Sequence, residues 1–181
     1  MKEETKHIIF SGGGTLGPVM PLVAVLQELR VRHSAWEFLW VGTTTGPERE
    51  ILERVGVRFI PLPPAKWRKY KSFKNITDLA VLSYNLFKSW RIIKSFQPDI
   101  LITAGGYVSV PLHIAGSMSR VPMLVHQEDV VPGLANRIMA RFATLVTVTF
   151  ERSLVYFKTR RKIWIGNPVR KSLGAVSRTD A

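Results

Sequence analysis

The stretch His7-Ile8-Ile9-Phe10-Ser11-Gly12-Gly13-Gly14-Thr15-Leu16-Gly17-Pro18 decides the fold. Residues 7–10 read as a short buried strand. A glycine-bearing loop follows at once. Beyond it, residues 19–30 read as a helix, with Val19, Val23, Leu26 and Leu29 near helical spacing. Strand, glycine loop and helix together form the entry to a nucleotide-type α/β unit. Backbone N–H groups at such a helix start, uncovered by side chains, suit a phosphate or diphosphate. Two further glycine segments repeat the theme: Ala104-Gly105-Gly106-Tyr107 and Gly166-Asn167-Pro168-Val169-Arg170. Each follows a short apolar run.

Working outward, strands are expected at 36–42, 57–61, 98–103, 122–126, 145–149 and 163–165, with prolines 61, 63 and 64 ending the 57–61 strand. Helices are expected at 48–55, 75–96, 111–119 and 132–142. Pro47 suits the first turn of its helix, and Asn75 with Asp78 suits an N-cap. In the long helix Leu79, Leu82, Leu86, Trp90 and Ile93 line one face, and Val81, Tyr84 and Phe87 widen it into a surface expected to serve as core ahead of membrane contact, an option that flanking Lys88, Arg91 and Lys94 keep open. Strands alternating with helices predict an α/β, Rossmann-like, doubly wound parallel sheet. Ligands of such sheets bind beyond the carboxyl ends of the strands, where all three glycine segments fall.

The length of 181 residues fits one ordinary domain, and 46% apolar content fits a packed core. No apolar run reaches the roughly 18 residues of a spanning helix. The start lacks the apolar segment of a secretory signal. Cysteine is absent, which removes disulfides and thiolate metal sites. His7, His33, His113 and His126 show no metal-ligand spacing and no Asp-x-Asp pair occurs, so no metal site and no cofactor is read here, with metal dependence left open. The net charge of +13 implies an anionic partner: phosphorylated substrate, anionic lipid or nucleic acid. Lys66, Arg68, Lys69, Lys71 and Lys74 interleave with Trp67, Tyr70 and Phe73, a pattern suited to an anionic membrane surface or to a solvated face. No nucleic-acid-binding motif accompanies the charge, so nucleic acid ranks last.

Four ordered segments carry a resemblance. The run 13–21, Gly-Gly-Thr-Leu-Gly-Pro-Val-Met-Pro, resembles the first glycine loop of the family 28 glycosyltransferases, and 105–111 resembles their second. His126-Gln127-Glu128-Asp129 with Pro132-Gly133-Leu134-Ala135-Asn136 resembles their His-Glu-Gln-Asn…Gly-Leu-Ala-Asn signature, and 166–170 closes the pattern. The resemblance spans about residues 7–173. It implies the N-terminal, acceptor-binding domain (1–173) of a two-domain GT-B enzyme, with 174–181 as a tail and the donor-binding C-terminal domain not included. The implied activity is an inverting transfer of GlcNAc from UDP-GlcNAc to lipid I, giving lipid II, at the cytoplasmic face of the cell membrane. Little transferase activity is expected of this half alone. Its implied partners are the donor, the undecaprenyl-diphosphate-linked acceptor, the anionic membrane surface, and a C-terminal domain or partner subunit.

The resemblance also implies site roles. Gly13, Gly14, Gly105, Gly106, Tyr107, Ser109 and Asn136 would hold the acceptor. Thr15, Leu16, Gly17, Asp129 and Arg170 would border the donor. Asn136 could instead make only a helix-start hydrogen bond. The family's first loop reads Gly-Gly-Thr-Gly-Gly-His, whereas Leu16 and Pro18 stand here, so the family's candidate base is replaced by proline. An inverting transfer needs a base for the incoming hydroxyl. Asp129 is the expected substitute and Glu128 the second candidate, with His126 ending its strand as a structural residue. The competing reading is a non-catalytic membrane-docking subunit of a split UDP-GlcNAc transferase, or a related transferase with another lipid acceptor.

Overall fold

The computed structural model describes residues 4–64 and 74–169, with backbone alone over 74–78. Its elements are β1 (His7–Ser11), α1 (Met20–Arg32), β2 (Glu37–Thr43), α2 (Glu48–Val55), β3 (Arg58–Leu62), α3 (Lys74–Phe96), β4 (Ile100–Thr103), α4 (Ser109–Met118), β5 (Met123–Gln127), α5 (Leu134–Met139), β6 (Leu145–Val148), a 3₁₀ helix (Glu151–Tyr156) and β7 (Lys162–Trp164). All six strand pairings are parallel, and the sheet order is β3-β2-β1-β4-β5-β6-β7. The winding therefore reverses between β1 and β4. A crevice opens at such a switch point, outside the carboxyl ends of the two strands.

Alternation along β1 and β2 loads both faces of the sheet. Ile8, Phe10, Phe38 and Trp40 join Leu22, Val23 and Leu26 of α1 in one core. Ile9, Leu39 and Val41 join Ile92, Ile93 and Phe96 of α3 and Leu112 of α4 in another. A third core gathers Val125, Val146 and Val148 against Ala135 and Met139 of α5. The Phe10 and Trp40 rings stack at 5.8 Å between centroids. Arg30 holds the end of α2, donating 2.6 Å and 2.9 Å bonds to the Val55 and Gly56 carbonyls, where the helix dipole favours a cation.

Every expected strand forms. The helices differ in extent. α4 starts two residues before Pro111, because a proline fits the first turn of a helix as well as its first residue. α5 is confined to Leu134–Met139. β3 runs through Pro61 to Leu62, since an edge strand has one row of N–H groups without a ladder partner and tolerates proline there. The 3₁₀ helix was not expected.

The long helix is corrected most. α3 buries Asn85, Ser89, Ile92, Ile93 and Phe96, while Leu79, Tyr84, Phe87 and Trp90 are 58%, 52%, 58% and 41% exposed. The stripe read from the sequence thus straddles two faces. On the buried face Asn85 donates a 2.8 Å bond to the Pro63 carbonyl, beside Ile92, Ile93 and Phe96 in the core. The basic-aromatic run 66–73, the side chains of Lys74, Asn75 and Asp78, Arg170, the boundary at 173 and the tail 174–181 lie outside the described residues.

Leu26 is fully buried between α1 and the sheet. Leu26→Ala is expected to lower unfolding free energy by about 2–5 kcal/mol in urea denaturation, with the slope unchanged.

Candidate functional site

The loops after β1 and β4 meet at the switch point. Gly106 has φ +94, and a Cβ built there would lie 2.9 Å from the Gly13 carbonyl oxygen. Only glycine lets the two backbones approach this closely. Beneath the first loop, the buried Glu48 carboxylate accepts bonds from the Thr43 N–H (2.6 Å), the Thr43 hydroxyl (2.6 Å) and the Gly14 N–H (3.2 Å). Trp40 donates its indole N–H to the Gly12 carbonyl at 3.0 Å. The first loop is therefore tied down from below at two points.

A buried polar chain supports the second loop. The Ser11 and Ser109 hydroxyls lie 2.8 Å apart, and Ser109 donates to the Gly105 carbonyl at 3.1 Å. Thr103 donates its hydroxyl to the Ser11 carbonyl at 2.7 Å and accepts the Gly105 N–H at 3.1 Å. His113 lies one turn along α4, with Nδ1 2.9 Å from the Ser109 carbonyl. Burial lowers its pKa to about 4, so the ring is neutral and Nδ1 carries the donated proton.

The carboxyl end of β5 supplies the third wall. His126 is buried, with Nδ1 2.9 Å from the Thr147 hydroxyl and Nε2 3.2 Å from that of Thr149. Burial lowers its pKa, against an opposing hydrogen bond with Asn167. Asn136, at the start of α5, donates to Gln127 Oε1 at 2.7 Å, and its own Oδ1 is buried without a partner among the described residues. That oxygen lies 3.1 Å from where a Gly105 Cβ would stand. Glu128 is half-buried, with Oε2 3.3 Å from a Cβ built on Gly17. Burial first, and the Asp129 charge second, push its pKa up to about 7. Asp129 is exposed, and its carbonyl accepts the Gln127 side-chain amide at 2.8 Å.

Two adjoining cavities share this wall. One, of about 420 Å³, is lined by Thr15, Gly105, Gly106, Tyr107, Glu128 and Asn136, among others. The other, of about 520 Å³, is lined by Leu16, Gly17, Glu128, Asp129, Phe150 and Asn167, among others. Glu128, Asp129 and Gly17 border both.

The residues expected at the acceptor thus divide. Gly105, Gly106, Tyr107 and Asn136 gather in the first cavity, together with Thr15 from the donor set. Leu16 lines the second, and Gly17 and Asp129 border both. Ser109, expected to bond acceptor oxygens, is fully buried, because its hydroxyl is taken by Ser11 and the Gly105 carbonyl. Gly13 is buried, and Gly14 spends its N–H on Glu48. His126 ends its strand as a buried ring, as expected. The sequence reading missed Glu48, Gln127 and Thr103. An acidic residue directly after the Gly46-Pro47 turn was a readable signal, but it also fits an ordinary helix start.

The sequence pattern of the glycosyltransferase family 28 N-terminal domain matches residues 8–148. The chain is 37% identical over 168 residues to the UDP-N-acetylglucosamine–N-acetylmuramyl-(pentapeptide) pyrophosphoryl-undecaprenol N-acetylglucosamine transferase of Clostridium botulinum, covering 93% of this chain and 47% of that protein. It is 38% identical over 167 residues to the enzyme of the same name from Borrelia turicatae, covering 92% and 46%. Its fold is similar to the crystal structure of Acinetobacter baumannii MurG, with a TM-score of 0.75 at 23% identity over 90% of this chain and 46% of that one. The S. aureus MnaA–UDP co-structure follows at 0.64 and 12% identity, over 92% and 46%. The chain spans about half the length of the curated relatives it matches.

Gly106→Ala places a methyl group against the Gly13 carbonyl on a backbone that L side chains rarely adopt. It is expected to destabilise by about 1–3 kcal/mol in urea denaturation.

Proposed function

The chain belongs to glycosyltransferase family 28, matching its N-terminal domain, and on that premise we propose that it forms the acceptor-side half of an inverting transferase that moves GlcNAc from UDP-GlcNAc to lipid I, giving lipid II. The carrying observation is the pair of cavities with Glu128 in their shared wall. In this reading the cavity with Gly105, Gly106 and Tyr107 takes the lipid-linked acceptor. The cavity with Leu16, Gly17 and Asp129 borders the sugar nucleotide, most of which a donor-binding half would hold. Arg170 belongs to the donor side by its place in the family pattern.

Glu128 acts as the base in this proposal, ahead of Asp129. A carboxyl group titrating near 7 matches the working pH of a general base, and a half-buried site limits competition from water. The acceptor hydroxyl oxygen attacks the anomeric carbon, the bond from that carbon to the UDP oxygen breaks with inversion, and UDP leaves with the electron pair. The hydroxyl proton passes to Glu128. Asp129 keeps Glu128 basic through its charge, and its own position suits the donor's hydroxyls. His126 is too buried and too engaged with Thr147 and Thr149 for this work.

The sign of the pH dependence follows. The base form of Glu128 grows as pH rises through about 7, so kcat/KM should climb to a plateau above it. With the chain joined to the donor-binding half of a family relative, Glu128→Gln is expected to lower kcat by about 10²–10⁴-fold and remove that limb. Transfer of labelled GlcNAc measures it. A Glu128→Gln enzyme with full activity, beside an inactive Asp129→Asn enzyme, would return the role to Asp129.

The second part of the proposal is attachment to the cytoplasmic face of an anionic membrane. No helix among the described residues is long and apolar enough to cross one. Instead α3 exposes Leu79, Tyr84, Phe87 and Trp90, with Lys88 over the Tyr84 ring and Arg91 over the Phe87 ring. Exposed rings flanked by cations suit the headgroup layer, where each basic residue contributes about 1 kcal/mol. Sedimentation with anionic liposomes tests this. Phe87→Ser with Trp90→Ser should weaken binding about tenfold or more without altering the fold. Added lipid I analogue should strengthen binding of the unaltered chain. Binding that ignores the analogue favours the docking-subunit reading.

A further inference from the structure

The first glycine loop has the sequence of a phosphate cradle, yet its Gly14 N–H is already engaged by a carboxylate. Glu48 is fully buried at the start of α2, and its described bonds all come from neutral groups: two from Thr43 and one from Gly14. The carboxylate sits in a socket of three glycines. A methyl group on Gly13 or Gly46 would overlap it, and one on Gly42 would stand 3.1 Å from Oε1. At Gly13 and Gly46 no side chain longer than hydrogen fits beside it, so the carboxylate and the loop fix each other's positions.

We propose that Glu48 is the positioning residue of the first glycine loop, and that this loop is a rigid wall rather than a cradle for the acceptor's phosphates. Two arguments carry this. An anion bound at the Gly14 N–H would have to displace the Glu48 carboxylate oxygen that already accepts it, leaving that buried oxygen without its partner. In addition, the loop so held is the surface on which the second loop rests, since Gly106 meets the Gly13 carbonyl. Glu48 thus acts through Gly13 on the placement of Gly105, Gly106 and Tyr107. The inference rests on the acceptor-half reading only for the identity of the ligand. The wall itself is a property of the unliganded chain.

Nuclear magnetic resonance on this chain tests it. Glu48→Gln keeps the volume and one oxygen for Thr43, but sets an NH₂ group against the Gly14 N–H. The Gly14 amide should then exchange with solvent about tenfold faster or more, while the Ile9 and Leu39 amides in the sheet keep their protection. In the unaltered chain, added lipid I analogue should shift the Gly106 and Tyr107 amide resonances and leave that of Gly14 in place. Affinity for the analogue should fall about tenfold in Glu48→Gln under conditions where the variant remains folded. If Glu48→Gln does not fold, Thr43→Val removes one anchor of the carboxylate and should raise Gly14 exchange to a lesser degree.

Unchanged Gly14 exchange in a folded Glu48→Gln chain would overturn the proposal. So would a Gly14 shift on ligand addition as large as that of Tyr107, or an undiminished affinity in the variant. If the unaltered chain binds no analogue at all, the acceptor reading fails, and the exchange comparison still decides whether Glu48 holds the loop.

Discussion

The structure depends on one close approach of backbones, that of Gly106 to the Gly13 carbonyl at the boundary between β1 and β4. Parallel pairing brings the ends of these two strands level, with Ser11 opposite Thr103. Both loops must then leave the sheet side by side, and any side chain between them would force the strands apart. With hydrogen at both positions, the Ser11, Thr103 and Ser109 hydroxyls close a continuous chain beneath the loops. Asn136 closes it from the α5 side through Gln127. The cavities above are what remains once this floor is satisfied.

The two acidic neighbours at the end of β5 show how environment separates identical chemistry. Glu128 is pressed toward Gly17 and loses water, so its charged form is disfavoured, whereas Asp129 faces solvent. A basic protein of +13 would in general favour ionised carboxylates. That Glu128 moves the other way reflects local desolvation outweighing distant positive charge, which water screens. Leu16 and Pro18, which depart from the family's first loop, add no competing titratable group to the cleft.

Most of the sheet was legible in the sequence, because each strand of a doubly covered parallel sheet is a short apolar run bounded by turn residues. His7 to Phe10, Ile100 to Thr103 and Leu145 to Val148 announce themselves in this way. The face of α3 was not legible. Its apolar residues are too many for one stripe, and the buried face also carries Asn85, bonded to the Pro63 carbonyl, and Ser89, which no apolar periodicity encodes. The site was half legible. Glycine spacing located both loops, and the signature run located Glu128 and Asp129. The direction in which a hydroxyl points was beyond reach, so Ser109 read as a ligand contact although it is part of the floor. Glu48 was hidden for a similar reason: the meaning of a helix-start carboxylate depends on a loop 34 residues earlier in the chain.

The two rims of the sheet are unlike each other. β3 carries Pro61, which has no N–H to offer a newcomer, and the Pro61 carbonyl already accepts the Lys88 ammonium at 2.9 Å. β7 at the opposite rim leaves Ile163 and Trp164 largely exposed, with Ile165 beyond them. Among the described residues, the β7 rim is thus the margin where a neighbouring strand has room to add, and the β3 rim, interrupted by Pro61, is the poorer template.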